Sequence, residues 1–239
     1  MSSWGFYFDQ TRCIGCKTCT VACMAWNEDK RGDACLHPEQ GIQTNPAYEI
    51  PAGYETMQDG SFNHDEMSKY HMKEELIRVT ETEYGTGMPD VDILYLALSC
   101  GHCGQPACVE VCPRNCIIKD KETGAVLNEK DRCIGCGDCR DACPYGAPQF
   151  YKDPVKAAPG EIIPMVKCDL CIERIKAGLK PACVAACRVR ALDVLPMDEL
   201  IKRYPDAKPL TINLSGGISP ATNEQTHPNW LFKPKIPRF

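Results

Sequence analysis

The chain has 239 residues, 44% hydrophobic and 25% charged, ordinary values for a folded protein with a real core. That excludes a long disordered chain and a multi-span membrane protein, and a formal charge of −5 excludes the strongly basic footprint of a nucleic-acid binder. Cysteine is the outlier, at 18 residues, several times what packing needs.

The first predicted element is a short strand, Gly5–Asp9, leading into Cys13, Cys16, Cys19 and Cys23, spaced C-x2-C-x2-C-x3-C. The end of that group, Thr20–Trp26, suits one or two helical turns. Residues 24–99 hold a single cysteine, Cys35, and are rich in Glu, Asp, Gly, Pro and Tyr with little periodicity. A second brief strand, Asp92–Leu96, leads into Cys100, Cys103, Cys108 and Cys112, spaced C-x2-C-x4-C-x3-C and followed by Pro113. Ile117–Asp120 and Ala125–Asn128 flank Lys121–Gly124 as a hairpin. The third group, Cys133, Cys136, Cys139 and Cys143, repeats the first spacing and is followed by Pro144. The fourth, Cys168, Cys171, Cys183 and Cys187, is spaced C-x2-C-x11-C-x3-C, with helical turns over Val184–Arg188. Met197–Arg203 is a predicted helix, stopped by Pro205. Residues 206–239 lack cysteine, contain Pro209, Pro220, Pro228, Pro234 and Pro237, and read as an extended tail over another subunit or over their own chain.

Residues 11–23 (TRCIGCKTCTVAC) match residues 131–143 (DRCIGCGDCRDAC) at eight of thirteen positions, and PACV recurs at 106–109 and 181–184. The chain is a duplicated two-group unit. A [4Fe–4S] cube has four iron corners, each taking one thiolate from outside. A C-x2-C-x2-C loop supplies three corners; in two-cluster ferredoxins the fourth comes from the last cysteine of the other group, usually followed by proline. A disulfide framework suits neither the four nested groups nor the lack of a secretory leader. Zinc is the stronger rival, because the fourth group alone has structural-zinc spacing, but a C-x2-C-x2-C triple leaves one thiol idle.

Four [4Fe–4S] clusters are therefore the expected cofactors. Only Cys112 and Cys143 precede proline, which marks groups two and three as an exchanging pair and leaves groups one and four to each other. The expected ligand sets are Cys13, Cys16, Cys19 with Cys187, and Cys168, Cys171, Cys183 with Cys23. The other two are Cys133, Cys136, Cys139 with Cys112, and Cys100, Cys103, Cys108 with Cys143. Each oxidised cube with four thiolates carries about −2, taking the loaded chain from −5 to roughly −13. Arg12, Lys17, Arg132, Arg140 and Lys167 lie beside the groups as candidates to tune potentials, although any single one is read first as an ordinary surface charge.

The segments GFYFDQTRCIGCKTC, YLALSCGHCGQPACVEVCP, CIGCGDCRDACPYGAPQFY and KCDLCIERIKAGLKPACVAACRVRALDVLPMDEL together resemble the four-cluster iron–sulfur subunit of the dimethyl sulfoxide reductase family of molybdenum enzymes. The resemblance implies a non-catalytic beta subunit carrying electrons between a large molybdopterin (Mo or W) subunit and, commonly, a membrane quinone-linked subunit. It further implies an order: the Cys13 set nearest the catalytic subunit, then the Cys168 set, the Cys133 set, and the Cys100 set nearest the membrane. Some relatives replace the second ligand of the third group and hold a [3Fe–4S] centre; Cys136 is kept here. A free polyferredoxin shuttling between soluble enzymes is the rival reading.

The expected fold is α+β, with two bacterial-ferredoxin-like lobes, one nested in the other. Lobe one takes residues 1–30 and 160–205, an inserted partner-facing segment 31–90, lobe two 91–159, and the tail 206–239. Neither MSSWGFYFDQTRC nor the short apolar stretch around Val91–Leu98 has the character of a leader or a membrane span. Membrane association is therefore expected only through partners, with the chain cytoplasmic or co-exported. Cys35 and Cys116 are read as packing or inert thiols. His37, His64, His71, His102 and His227 form no ligand cluster, although His102 lies between Cys100 and Cys103. No dinucleotide fingerprint, P-loop or acid/base pair is present.

Overall fold

The computed structural model describes residues 3–27, 76–87, 89–150, 159–210, 223–236 and 238. Cys35, His37, His64 and His71 lie outside the described residues. The mixed helix and strand content matches the α+β expectation.

Strand β1 (Trp4–Asp9) is almost wholly buried, with aromatic residues on both faces. Phe6 and Phe8 enter the main core beside several grouped cysteines, while Tyr7 joins Leu200 and Leu231 on the other side. β1 is central in a sheet ordered β6-β1-β8-β7, where β6 is Leu192–Pro196, β7 Lys208–Pro209 and β8 Trp230–Lys233. It pairs antiparallel with β6 and parallel with β8. Gly5 permits this closeness: a Cβ there would meet Met197 Sδ at 2.3 Å and the Asn229 carbonyl at 2.5 Å.

The expected helix forms, with the expected bounds, Met197–Arg203. Asp198 and Glu199 in its first turn and Lys202 and Arg203 in its last complement the helix dipole. Buried Asp193 on β6 accepts hydrogen bonds from Tyr204 Oη (2.8 Å) and Arg203 Nη1 (3.2 Å), and the Tyr204 ring stacks on Tyr7 at 3.6 Å. The expected hairpin also forms, as β4 (Ile117–Lys119) against β5 (Val126–Asn128). Its turn is closed by Asp120 Oδ2, which accepts from Thr123 N (2.8 Å) and Oγ1 (2.6 Å).

One expectation is corrected. The segment read as an aperiodic insertion up to residue 90 contains strand β2 (Ile77–Gly87), which pairs antiparallel with β3 (Asp90–Ser99), itself longer than expected. The base of this hairpin, at Ile77, Ala97 and Leu98, is core, whereas Thr80–Gly87 is exposed. β2 escaped notice because its outer residues, Thr-Glu-Thr-Glu, bury neither face and so carry no apolar alternation.

The described part of the tail packs on its own chain, one of the two readings of the tail above. Residues 226–230 zip onto the second cysteine loop. Trp230 Nε1 donates to the Cys100 carbonyl (3.1 Å), Asn229 Nδ2 to the His102 carbonyl (2.7 Å) and Gly104 N to the His227 carbonyl (2.8 Å). Farther on, Lys235 Nζ pairs with buried Asp92 at 2.6 Å and holds its carboxyl below the usual range.

Trp230 is 1% exposed and stacks on Phe6 with ring centroids 4.6 Å apart. Trp230→Ala should cost about 3–5 kcal/mol, seen as a marked fall in the temperature at which the folded chain melts. Trp230→Phe, losing mainly the bond to Cys100, should fall much less.

Candidate metal centres

The two repeated cysteine loops fold alike. Gly15 and Gly135 both adopt φ +68°, and Lys17 (φ 55°) and Gly137 (φ 89°) are the left-handed residues preceding helices α1 (Thr18–Trp26) and α3 (Asp138–Ala142). A side chain at Gly135 would strike the Ile163 carbonyl at 2.6 Å. The other helices here are α2 (Ala107–Glu110), α4 (Ile172–Lys176) and α5 (Ala182–Ala186). α1 packs against α5 and α2 against α3, so group one meets group four and group two meets group three.

The thiols interact accordingly. Cys13 senses Cys187 and Cys16, and Cys19 senses Cys187 and Cys13. Cys168 and Cys183 both sense Cys23 and Cys171. Cys103 senses Cys100, Cys143 and Cys108, while Cys139 senses Cys108 of the neighbouring grouping first, then Cys133, Cys136 and Cys112. The structure thus brings cysteines of group one beside those of group four, and cysteines of group two beside those of group three.

Two of the groupings surround visible cavities. Cys100, Cys103, Cys108 and Cys143 line one that is partly enclosed, with Tyr145, Lys167 and Thr226 in its wall. Cys112, Cys133, Cys136 and Cys139 line another, with Phe150, Met165 and one further thiol, Cys116. Main-chain N–H groups point at ligand-position sulfurs: Met165 at Cys133 (3.4 Å), Leu170 at Cys168 (3.4 Å) and Ala191 at Cys187 (3.2 Å). Such donors favour thiolate. Four thiols around a partly enclosed space, backed by N–H donors, fit a cube's four corners. Burial pushes the Cys108 thiol up to about 12 and Cys19 to about 11, so these two thiols hold their protons until a cluster is loaded.

The line of groupings corrects the order implied by resemblance. Cys183 senses Cys19, Cys168 senses Cys100, and Cys139 senses Cys108. The row therefore runs Cys13 set, Cys168 set, Cys100 set, Cys133 set, with the last two exchanged relative to the expectation. The second group, not the third, lies against the fourth, where Lys167 Nζ reaches both Cys100 Sγ and the Cys168 carbonyl.

Lys167 is also corrected: it is 4% exposed, not a surface charge. Its Nζ donates to the Cys168 carbonyl (3.0 Å), the Val126 carbonyl and Cys100 Sγ (3.8 Å). Three acceptor-only partners suit an ammonium with three N–H bonds. Burial lowers its pKa, but the neighbouring sulfurs of Cys100, Cys108 and Cys168 outweigh that and leave it raised. His102, fully enclosed, accepts the Val126 N–H at Nδ1 (3.0 Å), and burial and the Lys167 charge keep its ring neutral. By contrast Arg12, Arg132 and Arg140 make partly exposed pairs with Asp9, Glu129 and Asp141.

Cys116, which fits no C-x-x-C rhythm, also lines the second cavity. Its Sγ lies 3.4 Å from Cys112 Sγ. Burial and the neighbouring Cys112 sulfur push Cys116 up to about 12; burial also raises Cys112, but hydrogen bonds from Cys116 outweigh it and leave Cys112 lowered.

A positive charge between two centres stabilises the electron-loaded state of each. Lys167→Met should lower the midpoint potentials of the two centres flanking it and spare the outer two, with Lys167→Arg restoring most of the loss. EPR-monitored redox titration checks this.

Two models described as 4Fe-4S dicluster domain match residues 12–116 and 91–195, together covering all sixteen grouped cysteines. The protein is 35% identical over 234 residues to the B subunit of the anaerobic dimethyl sulfoxide reductase of Escherichia coli K12, an alignment that takes in 98% of this sequence and 89% of that one. It is 31% identical over 241 residues to the perchlorate reductase subunit beta of Dechloromonas aromatica, covering 84% and 69%. It is 29% identical over 267 residues to the dimethylsulfide dehydrogenase subunit beta of Rhodovulum sulfidophilum, covering 95% and 74%. With two dicluster units, and so four [4Fe–4S] clusters, this protein belongs to the iron–sulfur beta subunits of the dimethyl sulfoxide reductase family.

Proposed function

We propose that this protein conducts electrons between a molybdopterin catalytic subunit and a membrane quinone-linked subunit. Bound [4Fe–4S] clusters supply one-electron chemistry, at potentials that surroundings set within about −700 to +450 mV. The protein's own residues hold, space and insulate them. The holding residues are Cys13, Cys16, Cys19 and Cys187; Cys168, Cys171, Cys183 and Cys23; Cys100, Cys103, Cys108 and Cys143; and Cys133, Cys136, Cys139 and Cys112. These make two ferredoxin-like lobes, the second nested within the first.

The observation that carries this reading is the exposure of the two ends of the row. Cys23, Cys168, Cys171 and Cys183 are buried, as are Cys100, Cys103 and Cys143, so the two inner sets are shielded. Cys16 and Cys136, at equivalent positions of the repeated loops, are exposed. Each lies beside an exposed isoleucine, Ile14 at 61% and Ile134 at 46%. Paired apolar residues at opposite ends of an insulated row suit two docked partners better than a freely diffusing shuttle. The Cys16 end takes the catalytic subunit and the Cys136 end the membrane subunit. No helix among the described residues is long and apolar enough to cross a membrane, so contact with one runs through that partner.

A carboxylate forced into a dry interface costs well over 1.4 kcal/mol, so binding should weaken by about tenfold or more. Ile14→Glu should lose the large subunit on purification while keeping the membrane subunit, and Ile134→Glu the reverse, both with full iron. Retention of both partners by both variants would contradict the two-ended reading.

A further inference from the structure

Five sulfurs, not four, face the cavity at the Cys133 end of the row. The fifth, Cys116, is 3% exposed and is placed by a built turn. Asn115 N donates to the Cys112 carbonyl (3.1 Å), and Asn115 adopts the left-handed φ of 47° that asparagine tolerates. That turn reverses the backbone after Pro113, so that Cys116 Sγ comes to 3.4 Å from Cys112 Sγ. Cys133, the first cysteine of the facing loop, lines the same cavity. Cys116 therefore stands beside the sulfur that serves one corner of the cube, facing the space the cube would fill.

Resting on the ligand sets proposed above, we propose that Cys116 is a reserve ligand of the Cys133 centre. With Cys112 on its iron, Cys116 stays a neutral thiol and donates S–H to the Cys112 sulfur. In the exchange, the iron–Cys112 bond breaks, an iron–Cys116 bond forms, and the Cys116 proton passes to Cys112. Charge and electron count are unchanged, so no oxidant or reductant is needed. The outermost centre of the row, whose loop exposes Cys136, thereby survives loss or damage of one ligand.

The test compares the wild-type protein, Cys112→Ala, Cys116→Ala and the double variant, each prepared anaerobically in its complex. Iron content and EPR spin count are read from all four. Both single variants should keep four [4Fe–4S] centres, with Cys112→Ala altering the signal of one. The double variant should lose one centre or convert it to [3Fe–4S]. Loss or conversion already in Cys112→Ala, equal to the double variant, would overturn the inference, as would a double variant that keeps four. A wild-type protein lacking the Cys133 centre would instead overturn the ligand sets beneath it. Should Cys112→Ala not fold, Cys116→Ala decides alone. Removing the S–H donor should lower the midpoint potential of that one centre, and an unchanged potential would overturn the inference.

Discussion

The structure depends on one constraint: a loop of closely spaced cysteines reaches only three corners of a cube, so the fourth sulfur must arrive from far along the sequence. The fold is arranged to deliver it. β1 pairs with β6, bringing residues 4–9 to 192–196, and the helices following the first and last cysteine groups pack together. The β4–β5 hairpin spans the interval between groups two and three, returning the backbone so that their helices meet. Small strands and short helices suffice because metal–sulfur bonds contribute the folding energy that a large apolar core otherwise supplies.

Electrostatics sets the second requirement. Four clusters bring about eight negative charges to a protein already at −5. Main-chain N–H groups aimed at Cys133, Cys168 and Cys187 disperse part of that charge. Lys167 puts a full positive charge between the two middle groupings, where the low dielectric makes it count most. Burying an ammonium is costly unless its donors are all met, and the carbonyls of Val126 and Cys168 with the Cys100 sulfur meet them.

Much of this was legible in the sequence, where it rested on local spacing. The cysteine rhythm, the repeat of residues 11–23 at 131–143, the hairpin around Gly124 and the helix after Pro196 are short-range signals. Each is fixed by a few neighbouring residues. What escaped depends on distant pairing. The parallel match of β8 to β1, the zipping of residues 226–230 onto the Cys100 loop and the enclosure of Lys167 leave no periodic trace. Cys116 escaped for a related reason: its meaning lies in a turn at Asn115 rather than in any spacing to the cysteine groups. The order of the last two groupings required knowing that Cys100, rather than Cys133, lies near Cys168.

The row that results has insulated middle members and two exposed ends built from the same repeated loop. Duplication thus accounts for both the number of centres and the similarity of the two ends. The central claim, that sixteen crosswise-shared thiolates hold four cubes, is tested most directly by Mössbauer spectroscopy with iron and zinc analysis of anaerobically prepared material. The account predicts about sixteen irons per polypeptide, all in [4Fe–4S] centres, without stoichiometric zinc. Half that iron, or zinc in its place, would contradict it.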